Sequence, residues 1–178
     1  MHKRSFNWPL RTCIAVAVAS LAVLACSCSP TIGDEQRAAE LVQKGFDESF
    51  RRAQDVRFYL SDLVEATLAT MDQIRTAPDQ YPEGALGALE SAHAVVDQLS
   101  QNTDDIMLSL LNSMGNRAHL VAQIDNGDDE LIRQILQQEE DLKTFFWACD
   151  NIFATTPTSD KMTPDEVVSW ALREFETG

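Results

Sequence analysis

The sequence predicts an all-α protein, an antiparallel helical bundle of about four helices, two long and two shorter. Three observations carry this. Apolar residues recur every three or four positions through most of residues 34–176, the spacing of one helical face. No stretch alternates with the period of two that a half-buried strand needs. The breaks between periodic runs coincide with Pro, Gly, Asn and Thr clusters, and glycine occurs only seven times, which leaves little chain for long flexible loops.

The first long helix is expected over about 34–76. Val42, Phe46, Phe50, Ala53, Val56, Leu60, Leu63, Thr67, Met71 and Ile74 form one stripe, and at 1.5 Å per residue such a helix is about 60 Å long. Only a long bundle buries a stripe of that length, and Gly45 is its weak point. Ala77-Pro78-Asp79-Gln80-Tyr81-Pro82 then stops it, because proline lacks the N–H a helix needs and clashes with the preceding turn.

A second long helix is expected over about 83–125, with its stripe at Leu86, Leu89, Ala92, Val96, Leu99, Thr103, Ile106, Leu110, Met114, Val121 and Ile124. Thr103, followed by Asp104 and Asp105, has the character of a cap and marks a site for a kink. The phase runs through it, so one helix is expected, ended by Asn126-Gly127. Asp128 caps a third helix over 129–153, with Asp129 and Glu130 suited to the positive end of its dipole. Leu131, Ile135, Leu142, Phe145, Cys149 and Ile152 form its stripe, thickened by Phe146, Trp147 and Phe153. After a polar loop, Thr163-Pro164-Asp165-Glu166 places a cap, a first-turn proline and a capping-box glutamate in order. The fourth helix, over about 164–176, carries Val167, Val168, Ala171, Leu172 and Phe175 on one side. Residues 34–178 are therefore expected to form a single acidic helical domain.

The chain upstream is of another kind. Lys3, Arg4 and Arg11 precede TCIAVAVASLAVLA at 12–25, the layout of a secretory signal with a basic start, a short apolar centre and a small residue at the cut. The apolar run falls short of the roughly 20 residues a spanning helix wants. Its end, Val23-Leu24-Ala25-Cys26, resembles the lipobox of bacterial lipoproteins. The resemblance implies that residues 1–25 are a lipoprotein signal peptide and that the Cys26 thiol receives a diacylglycerol, with palmitate-like acyl chains as the membrane anchor. Cys28, after Ser27, is the alternative lipidation frame. Residues 26–33 would be the lipidated cysteine and a short tether. A single acyl chain binds a bilayer with an association constant on the order of 10⁴ per molar, so two or three give stable anchoring. Ser27 is not the aspartate associated with inner-membrane retention in enteric bacteria. The resemblance thus points to the outer membrane facing the periplasm, or to the outer leaflet of the plasma membrane in a single-membrane organism.

Removing the first 25 residues takes away three of the 14 cationic side chains and none of the 28 acidic ones, leaving 11 against 28 and a formal charge of −17. Such a surface repels nucleic acid and anionic lipid; nucleic acid is excluded as a partner, and a basic envelope protein is the partner class the charge favours.

Candidate chemistry is sparse. No CxxC or Cys/His cluster supports a haem or structural zinc, and Cys149 in its Phe-Phe-Trp-Ala-Cys run is expected to pack as a small apolar side chain. A Cys28–Cys149 disulfide is permitted in an oxidising compartment but not specified. Glu90-Ser91-Ala92-His93 has the ExxH spacing of di-metal bundles, yet His119 has Asn116 three residues before it instead of an acid, so His93 is expected on the surface and no metal site is assigned. Asp125-Asn126-Gly127-Asp128-Asp129-Glu130 has its glycine at the third position of a calcium-type loop and not the sixth, so a turn and cap explain it. No nucleophile elbow or glycine-rich phosphate loop is present. No catalytic residue and no cofactor are expected. Phe145, Phe146, Trp147, Trp170 and Phe175 are the candidate lining of a ligand pocket. Two functional expectations follow: a membrane-tethered acidic interaction module of assembly, exclusion or immunity type, and alternatively a bundle that binds or senses a small hydrophobic ligand.

Overall fold

A computed structural model describes residues 30–157 and 162–175. Within them the chain forms α1 (Ile32–Glu40), a π turn (Leu41–Gly45), α2 (Phe46–Thr76), a 3₁₀ turn (Pro78–Gln80), α3 (Ala85–Gly115), α4 (Arg117–Asp125), α5 (Asp129–Phe153) and α6 (Pro164–Phe175). With α1, the π turn and α2 taken as one continuous rod, these are five helices and no strand. The protein is all-α, as the periodicity predicts; the expected count of four is corrected to five.

The rod begins earlier than its stripe implies because Thr31 caps it. Its hydroxyl accepts from the Asp34 N–H at 3.3 Å while its own N–H donates to Asp34 Oδ2 at 2.9 Å, a reciprocal box that satisfies two otherwise orphan donors. At the π turn the Phe46 N–H reaches back to the Leu41 carbonyl. The wider turn absorbs the extra residue implied by two successive steps of four, so that Ala38, Val42 and Phe46 are all buried along with Ala53 and Val56.

The second expected helix is broken, though not at Thr103. That residue is buried inside α3, its hydroxyl donating to the Leu99 carbonyl at 2.7 Å. The interruption is at Asn116, where φ is −100° and ψ 11°, after a Gly-Asn pair with poor helix propensity. The chain turns enough there for Arg117 to pair with Asp47 of α2 at 2.8 Å. The start also moves, from Glu83 to Ala85, because Gly84 takes a left-handed φ of 83° that Gly adopts without strain.

The two caps read from sequence at α5 and α6 are present. Asp128 accepts from the Leu131 N–H at 3.0 Å, and Thr163 and Glu166 bond reciprocally at 2.8 and 3.4 Å.

Side-chain pairs give the directions. Arg57–Asp104 at 2.7 Å and Arg75–Glu90 at 3.5 Å set α3 antiparallel to α2. Arg37–Glu139 and Arg52–Asp150, both at 2.7 Å, set α5 parallel to the rod. α6 packs on α3 and α2. One core runs through these elements, built on Val42, Phe46, Leu60, Leu63, Leu89, Leu110, Ile132 and Trp170. On α5 the buried residues are Ile132, Ile135, Leu142, Phe146, Cys149 and Ile152, whereas Leu131 and Phe145 of the expected stripe are half-buried. At the far end Trp170 Nε1–H donates to Thr155 Oγ1 at 3.3 Å, Arg173 donates to the Thr155 carbonyl at 2.7 Å, and the hydroxyls of Tyr59 and Thr156 bond each other. These bonds tie the α5–α6 connection to α2 and α6.

Candidate functional site

The expected lipidation residues Cys26 and Cys28, and the signal segment before them, lie outside the described residues. No helix within the described residues is long and apolar enough to cross a membrane.

The five aromatic residues assigned to a ligand pocket fall in two places. On α5, Phe145 meets Phe146 edge-on at 5.5 Å between centroids, and the Arg52 guanidinium stacks over Phe146 at 4.5 Å. On α6, Trp170 meets Phe175 edge-on at 5.3 Å. Trp147 is 57% exposed, on the opposite side of α5 from the core. A cavity of about 430 Å³ lies beside the start of α6, lined by Thr155, Asp165, Ser169 and Arg173 among others. Of the five aromatics it touches only Trp170. Most of its lining residues are of polar type, in contrast to the predominantly hydrophobic and aromatic residues that line small-molecule sites.

The ExxH pair does not converge. Glu90 is exposed and pairs with Arg75, whereas His93 is half-buried in the α2–α3 seam with Nδ1 3.1 Å from Thr67 Oγ1. The expected surface position of His93 is corrected accordingly: its ring fills a seam where Thr67 supplies a polar partner. Among the described residues no group of three or more His, Cys, Asp or Glu is arranged to hold a metal. At Asp125–Glu130 the Asp128 carboxylate caps α5, and Gly127 has a left-handed φ of 75°.

Cys149 is a free thiol, fully buried. Burial, reinforced by the neighbouring Asp150 carboxylate, pushes its pKa up to about 12, so it is not a thiolate nucleophile at neutral pH.

The surface charges are arranged unevenly. Among the described residues, Arg37, Arg52, Arg57, Arg75, Arg117, Arg133, Lys143 and Arg173 each lie within ion-pair distance of a carboxylate. The Glu139 carboxyl shows the balance of forces at one such cluster. Burial raises its pKa, but hydrogen bonds from Arg37 and Lys143 together with their charge outweigh it and hold it below its ordinary value. With these cations engaged locally, Glu48, Asp55, Asp62 and Glu65 on the outer side of α2 and Asp105 on α3 have no cation within ion-pair distance among the described residues.

A further set of apolar residues falls off the phase of the helical stripes. Phe58 is 72% exposed, Leu108 60% and Leu111 48%. The signal was available: Phe58 lies two positions from both Val56 and Leu60, which a helix places on the opposite side. None of the family models, curated proteins or solved structures compared with the chain matches it.

Proposed function

We propose that the protein is a lipid-anchored, acidic helical module of the bacterial envelope, tethered through acyl chains on Cys26, whose work is to bind a basic protein partner. The rod, the broken α3–α4 limb, α5 and α6 act in this reading as the four limbs of an antiparallel bundle. The observation that carries the proposal is the charge arrangement. The mature chain has a formal charge of −17, and most described cations are already engaged with neighbouring carboxylates, so the surplus acids face solvent as an uncompensated field. Such a field steers a basic partner toward the surface and repels nucleic acid and anionic headgroups. A stable all-α scaffold presenting it at a membrane fits assembly, exclusion or immunity roles.

Two measurements test this. Radiolabelled palmitate should mark the wild-type product and not the Cys26→Ser variant; unlabelled wild-type protein overturns the anchor. Binding of a basic partner should weaken steeply between about 0.01 M and 1 M salt as the Debye length falls from about 30 Å to 3 Å. Binding indifferent to salt overturns the electrostatic mechanism.

A further inference from the structure

Charged and apolar side chains meet on one outer face. α2 and α3 form an antiparallel pair whose inner sides carry the core, and α6 packs on both of them. On the outer side the Arg57–Asp104 ion pair bridges the two helices at 2.7 Å, with both side chains about half exposed. Phe58 adjoins Arg57 in sequence, and Leu108 stands one turn beyond Asp104, with Leu111 about a turn further. Three exposed apolar side chains therefore gather around that ion pair, within about 10 Å along the helix axes. Asp55, Asp62 and Glu65 on α2 and Asp105 on α3 are exposed around them, four acids against the exposed cation Arg51 a turn before Asp55.

We propose that this α2–α3 face is the docking surface for the basic partner, which would present apolar side chains to Phe58, Leu108 and Leu111 inside a ring of Lys and Arg. The inference rests on the interaction-module reading and adds where the partner sits. Charge decides between occupants. A second copy of the chain would bring the same carboxylates face to face, and an anionic bilayer would bring phosphates, whereas a basic protein surface meets every acid of the rim with opposite charge. The apolar centre supplies the desolvated contacts on which binding energy concentrates, and the charged rim supplies register and encounter rate.

The test uses the purified full chain and three labelled helical peptides: one amphipathic with Leu and Lys, one of equal charge with Ser in place of Leu, and one with Leu and Glu. The Leu–Lys peptide should bind at low salt, and the other two at least tenfold more weakly. Phe58→Ser and Leu108→Ser should each reduce its binding tenfold or more. Trp147→Ser, an equally exposed position on α5, should leave it unchanged. Circular dichroism and melting curves of the variants should match wild type, because neither side chain is in the core. Salt-sensitive binding that ignores Phe58→Ser and Leu108→Ser overturns this face while leaving the module reading standing. No binding of any basic peptide at low salt overturns both. Sedimentation showing a dimer that these substitutions dissolve, or adsorption to vesicles of phosphatidylcholine and phosphatidylglycerol that they abolish, overturns the face as a partner site in favour of a second copy or a lipid surface.

Discussion

Cys149 shows how burial alone sets reactivity. Its thiol is fully buried and its pKa is raised to about 12, so in the native protein at pH 8 iodoacetamide should leave it unmodified, and denaturation should expose it to rapid alkylation. Native-state labelling read by intact mass checks this. Glu139 shows the opposite balance. A carboxyl whose folded pKa lies below its unfolded value contributes stability that is present at neutral pH and is lost as the pH falls through the folded pKa. The contribution of Glu139 should therefore be lost on acidification through the carboxylate range, and the difference in melting temperature between wild type and a Glu139→Gln variant should narrow over that interval. Trp170, buried and bonded to Thr155, should be among the most sensitive positions. Trp170→Ala should cost about 3–5 kcal/mol, measured by urea unfolding, from the cavity and the lost bond together.

At the scale of the element, short-range rules were enough at some helix ends and not at others. Asp128 and the Thr163–Glu166 pair were legible as caps because a cap is made by residues three apart, with no help from the rest of the fold. Thr31–Asp34 obeys the same logic, and Thr31→Ala should cost about 1 kcal/mol of stability. The break at Asn116 was hidden by an apolar stripe that runs through it, with only the Gly115-Asn116 pair to signal it. Gly115 is helical, and a Cβ there would meet nothing within 4 Å. Gly115→Ala should accordingly stabilise the protein by about 0.5–1 kcal/mol in a denaturant titration. The π turn was half legible: the steps of four through Val42, Phe46 and Phe50 and the weak Gly45 mark its place, but the wider turn itself is fixed only when α1 and α2 pack on a common core.

On the scale of the whole molecule, the surplus of acids should work against the compact state. Screening it should raise the melting temperature between about 0.01 M and 1 M salt, even though the individual ion pairs weaken. Surface pairs contribute roughly 0–1 kcal/mol each; a melting temperature that falls with added salt shows instead that the ion pairs outweigh the repulsion among the carboxylates.

All-helical class, the capped starts of α5 and α6 and the acidic character of the chain were determined by the sequence alone. Periodicity, caps and charge count are local or additive properties, and no neighbour in space is needed to produce them. Which cations are already engaged, which aromatics meet, and where off-phase apolar residues gather were decided only by the tertiary structure. Arg57 and Asp104 are far apart in sequence, and Phe58 and Leu108 come to one face only because α2 and α3 pack antiparallel in a single register. The same packing gives Phe146 and Trp170, grouped in the sequence as candidate pocket lining, different partners: the Arg52 guanidinium over one ring, Thr155 and Phe175 against the other.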